Sequence, residues 1–103
     1  MGDAKLIWER SFILRGRYKV IAKVYDVGTS KKHPEGVKAK FVLLALEANV
    51  PRLLVDNHAP FGFHMHTTLP EDETNRVEMK VTDFNEAYDE FLQEVERVVE
   101  SEN

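Results

Sequence analysis

The 103-residue chain has no cysteine, one tryptophan, four prolines and five glycines. Without cysteine there can be no disulfide staple, zinc–thiolate site or thiol nucleophile. Proline and glycine are too sparse for a collagen-like or low-complexity chain, and no internal repeat or linker is visible. Long apolar runs are missing too, and none approaches the roughly 20 residues needed to cross a bilayer. The opening Met1-Gly2-Asp3-Ala4-Lys5 lacks the basic and then apolar stretch of a secretory signal, so a cytoplasmic location is expected, with no membrane partner. No phosphate-cradling glycine loop, nucleophile elbow or helix-turn-helix is present. What remains is 43% hydrophobic and 31% charged, the composition of a soluble protein with one domain over residues 1–103.

The net charge of −4 hides a division along the chain. From Lys5 to Arg52, eleven Lys or Arg stand against four Asp or Glu, an excess of seven positive charges. From Asp83 onward, eight acids stand against Arg97 alone, an excess of seven negative charges. One part can meet a polyanion and the other a basic partner, or both can simply be solvated faces.

Apolar residues fill 5–14 and 18–26, and Arg15-Gly16-Arg17 between them predicts a β-hairpin with Gly16 at positive φ. In the second strand Tyr18, Val20, Ala22 and Val24 share one face, and Arg17, Lys19 and Lys23 share the other. Residues 28–36 form a polar loop containing Lys31, Lys32 and His33. Residues 42–47 suit either a helix or a buried strand, and the surrounding strands favour the latter. A turn at Asn49-Val50-Pro51 precedes a strand at Arg52–Val55. Short strands are expected at 63–67 and 76–81, the second with Val77, Met79 and Val81 inward. From Phe84 to Val99 apolar residues recur at helical spacing, with Asp83 and Glu86 placed as a capping box. The fold class expected is α+β: an antiparallel sheet of five or six strands packed against one long C-terminal amphipathic helix.

The one dense cluster of chemically able residues runs from Asp56-Asn57-His58 to His64-Met65-His66. Two residues apart in an extended chain, His64 and His66 point to the same face. Three roles suit them. Neutral imidazole can take a proton from a ribose 2′-hydroxyl while imidazolium protonates the leaving oxygen, with Arg17, Lys19, Lys23 and Arg52 placed to hold RNA. The same imidazoles, completed by Asp56, can bind a divalent metal. They can also be structural, with Asp56 and Asn57 serving a turn. A loop at Pro60 and Gly62 would fold Asp56, Asn57 and His58 back toward the pair. No cofactor is called for.

The basic hairpin, the Leu54-Val55-Asp56-Asn57-His58 strand, the His64-Met65-His66 strand and the Thr82-Asp83-Phe84 entry into a helix through Phe91-Leu92 follow in that order. From about Glu9 to Val99 this pattern resembles the small prokaryotic TumE-type family, toxins of toxin–antitoxin pairs. The resemblance implies an RNA-cleaving toxin encoded beside a helix-turn-helix antitoxin, with Asp56, Asn57, His64 and His66 at the family's motif positions. The family is likened to RelE-type messenger-RNA interferases, but this chain has no pair of helices before its sheet. The alternative expectation is a non-enzymatic binding module, dimeric through a sheet edge or the acidic helix, or a metal-binding protein with structural histidines.

Overall fold

Arg15 and Gly16 both take positive φ, 52° and 65°, and the Arg17 N–H donates to the Leu14 carbonyl at 3.0 Å. Positive φ at the centre of a hairpin turn matches the twist of the flanking strands. The computed structural model describes residues 4–31, 33–34, 36–58, 62–69, 71–72, 74–81 and 83–102. In it the turn joins β1 (Lys5–Leu14) to β2 (Tyr18–Asp26). β3 (Val37–Ala45), β4 (Val50–His58), β5 (Gly62–His66) and the short β6 (Val77–Glu78) follow, and α1 (Phe84–Ser101) closes the chain. Each strand pairs antiparallel with the next, in the order β1-β2-β3-β4-β5-β6. The fold is α+β, a six-stranded antiparallel meander with one C-terminal helix. Among the described residues no helix is long and apolar enough to cross a membrane.

The alternation read from β2 decides how the layers stack. Tyr18, Val20, Ala22 and Val24 turn toward α1, as do Ala39, Phe41, Leu43, Leu53, Val55, Phe63 and Met65 from the next strands. The helix answers with Ala87, Phe91, Val95 and Val99, four residues apart and all buried. Phe41 is central, with its ring 5.7 Å from Phe91, 5.4 Å from Tyr88 and 5.9 Å from Trp8. Asp83 caps the helix from extended backbone, its carboxylate accepting the Glu86 N–H at 2.9 Å. Asp83→Ala should therefore cost about 1 kcal/mol and lower the melting temperature by about 4–8 °C. An unchanged thermal transition would show that the cap is idle.

Several boundaries differ from the sequence expectation, β4 among them, which runs on through Asp56 and Asn57 to His58. The run through Ala45 is strand, as favoured, but the turn falls at 46–49, so Val50 and Pro51 belong to β4. Pro51 is tolerated because β5 pairs only with Leu54–His58, so the missing N–H costs no bond on that side. In the last strand only Val77–Glu78 pairs. Met79 is buried and Val81 half-buried, but Val77 is 52% exposed because it lies on the outer strand while α1 rests on β3 and β4.

Candidate functional site

With α1 on one side, the other side of the sheet carries no helix among the described residues. The register arranges its side chains in rows that cross the strands. One row is ionisable from edge to edge: Glu9 faces Lys23, Lys23 faces Lys40, Lys40 faces Asp56, Asp56 faces His64, and His64 faces Glu78. The neighbouring row is mostly apolar, Ser11–Ile21–Val42–Leu54–His66. On the far side of the ionisable row, Leu6 faces Tyr25 and Tyr25 faces Lys38. In β2 and β3 the charged residues on this face are Lys19, Lys23, Lys38 and Lys40, with no acid among them. The acids of α1 lie on the opposite side of the sheet. The charge division along the chain is only in part a division between faces: Glu9, Asp56 and Glu78 share the helix-free face with these lysines, and Arg10 stacks on Trp8 on the α1 side.

Lys23 and Lys40 are directly opposite, an arrangement that is unfavourable unless the charge is balanced. Glu9 balances Lys23 from one side at 3.8 Å, and Asp56 flanks Lys40 in register from the other. Between the lysines lies an open hollow of about 260 Å³ lined by Ile21, Lys23, Tyr25, Lys40 and Val42. It has an apolar floor, one aromatic ring and two cations.

His64 and His66 do share a face, with ring centroids 5.3 Å apart and the planes nearly perpendicular at 76°. They are well packed, 2% and 9% exposed. His64 Nδ1 lies 3.0 Å from the Gly62 carbonyl, which only accepts, so the proton of the neutral ring sits on Nδ1 and the lone pair on Nε2. His66 Nδ1 is buried with no hydrogen-bond partner among the described residues. Asp56 stands opposite His64 in register, half-buried, and its carboxylate accepts the Asn57 N–H at 2.8 Å.

The remaining sequence candidates divide by face. Asn57 points the other way, into the core at 0% exposure. Its side-chain oxygen accepts the Ala39 N–H at 2.7 Å and its nitrogen donates to the Val37 carbonyl at 3.0 Å. The backbone register of β3 with β4 ends at Lys40 and Asp56, and the Asn57 amide continues it in their stead. Asn57 therefore ties β4 to β3 on the core face of the sheet. Arg52 sits at the register shift of the β3–β4 pair and reaches Glu102, just past α1, at 3.3 Å. Beside it, burial first and Glu102 second push the Tyr18 hydroxyl above the usual tyrosine range. Arg17 is exposed in the first turn and lines a hollow with Tyr18, Ala45, Glu47, Ala48 and Glu102, at the same end of the molecule. Neither arginine joins the histidines. Lys19 and Lys23 do lie on the histidine face, Lys19 opposite Leu44. The side chain of His58, and residues 59–61 of the loop after it, lie outside the described residues.

Lys38, Lys40, Tyr25 and Glu78 are members of this face that local sequence reading passes over. Lys38 and Lys40 alternate with Val37, Ala39 and Phe41, which is a sufficient signal for their face but not for their neighbours. His33, expected in a solvated loop, is 7% exposed and accepts from the Ser30 and Gly36 N–H groups through its carbonyl at 3.1 and 3.0 Å. Among the described residues no group of three His, Asp or Glu side chains is placed to hold a metal ion. Comparison of the chain with protein-family models, with curated proteins and with solved structures gives no match.

Proposed function

We propose that the helix-free face binds single-stranded RNA and that the protein is an RNA-cleaving, toxin-like ribonuclease, with His64 and His66 as base and acid. The observation that carries this reading is the hollow between Lys23 and Lys40, in the same cross-strand row as His64. A phosphate can lie between the two ammonium groups in place of their contacts with Glu9 and Asp56, and a base can lie on Tyr25 and the apolar floor. Two strand spacings, about 10 Å, separate Lys40 from His64, so a strand of RNA held at the lysines extends to the imidazoles. There His64 Nε2 takes the proton of a ribose 2′-hydroxyl, whose oxygen attacks the adjacent phosphorus. His66 in its imidazolium form gives its proton to the departing 5′-oxygen, leaving a 2′,3′-cyclic phosphate and a 5′-hydroxyl.

The 2% exposure of His64 favours a second reading, in which the RNA face is kept and the imidazoles are structural. One experiment separates them. Wild-type protein and His64→Ala are expressed in cells, and growth and transcript integrity are followed with the soluble amount of each protein. The ribonuclease reading expects growth arrest and cut transcripts for wild type, and neither for an equally soluble variant. Intact transcripts with both proteins would reject cleavage. RNA binding by purified wild type without cleavage would then support the second reading.

A further inference from the structure

Among the described residues, four of the five large apolar side chains that stand exposed are on β1: Leu6 at 49%, Ile7 at 52%, Phe12 at 37% and Ile13 at 59%. β1 is an outer strand of ten residues with no proline, and among the described residues it pairs with β2 alone. A long apolar outer strand presents a row of peptide groups ready to pair with another chain. The register shift between Leu6 and Trp8 breaks the edge near Ile7, which leaves Trp8–Leu14 as its regular stretch.

We propose that this stretch pairs antiparallel with the same stretch of a second copy, about a two-fold axis at Ser11, so that the two sheets become one. Side-chain chemistry selects the second copy and the register together. In such a pair, facing residues have numbers with a constant sum and lie on the same face of the joined sheet. Ser11 is the midpoint of Trp8–Leu14, so centring there uses the whole stretch. Trp8 then faces the partner's Leu14, Glu9 the partner's Ile13, Arg10 the partner's Phe12, and Ser11 the partner's Ser11. Apolar residues meet a tryptophan or the stems of charged side chains, and Arg10, which already stacks on Trp8 at 4.8 Å, meets a second ring. Centring on Glu9 or Arg10 sets like charges against each other. Centring on Phe12 or Ile13 shortens the overlap.

The absence of cysteine allows a direct test on the full chain. Ser11→Cys places two thiols opposite each other at a Cα separation of about 4.5–5.5 Å, within disulfide range. Glu9→Cys places them four residues out of register, about 13 Å apart. Sedimentation of wild type is expected to show a dimer, and mild oxidation is expected to crosslink Ser11→Cys but not Glu9→Cys. Ile13→Glu, facing the partner's Glu9, should weaken self-association about tenfold or more relative to Ile13→Lys. Ile13 is exposed, so neither change disturbs the core. A wild-type monomer overturns the proposal and leaves β1 to a strand of some other chain. A dimer in which Ser11→Cys crosslinks no faster than Glu9→Cys overturns it as well.

Discussion

Replacing Asn57 by alanine is expected to destabilise the fold by about 3 kcal/mol, more than removal of a typical surface hydrogen bond. The side chain is fully buried and both ends of its amide are engaged with the β3 backbone. Alanine leaves the buried Ala39 N–H without its acceptor and the part-buried Val37 carbonyl without its donor. Asn57→Asp is the informative companion, since it keeps an acceptor for Ala39 and loses the donor to Val37. Its buried carboxyl would titrate above the range it has in the unfolded chain. The proton is then held more tightly by the folded state, so this variant is most stable below the unfolded carboxyl range and loses stability as pH rises. Urea unfolding of both variants near pH 4 and pH 7 measures this. A loss below about 0.5 kcal/mol for Asn57→Ala would show that its two bonds to β3 do little for the fold.

Reversing Lys23 and Lys40 together to glutamate should weaken binding of a single-stranded RNA oligonucleotide about 100-fold, tenfold for each lysine–phosphate pair removed. The salt dependence should change with it. If each lysine neutralises one phosphate, the slope of log K against log salt falls in magnitude by about 1.4. Reversing Arg17 and Arg52 serves as the control. Those arginines lie toward the Glu102 end of the molecule, so their loss should act only through net charge, with a smaller effect that salt removes. Fluorescence anisotropy over a salt series reads both quantities. Equal losses for the two pairs would mean that RNA has no preference for the helix-free face.

The features legible in the sequence are those set by near neighbours in the chain. The turn at Gly16, the alternation of β2, the cap at Asp83 and the helical stripe from Ala87 to Val99 each follow from residues a few positions apart. The shared face of His64 and His66 has the same origin. What escaped is set by pairing between distant segments. Nothing local places Lys40 beside Lys23 or Glu78 beside His64, because register is fixed by how whole strands bury one face. Asp56-Asn57 looks like a turn in composition, yet β4 continues through it, and alternation then sends the two side chains to opposite faces. Arg52 looks like an ordinary strand cation until the β3–β4 register shift brings it to Glu102. The histidine pair was legible in direction but not in burial.

RNA is expected to sit on the lysine-lined, helix-free face. Amide chemical-shift mapping with a short single-stranded RNA tests it most directly. Shifts are expected to concentrate on Ile21, Lys23, Tyr25, Lys40 and Val42 and to extend through Asp56 to His64 and His66, with α1 unmoved. Shifts centred on α1 or on the Arg17–Glu102 end, or no shifts at low salt, would contradict it.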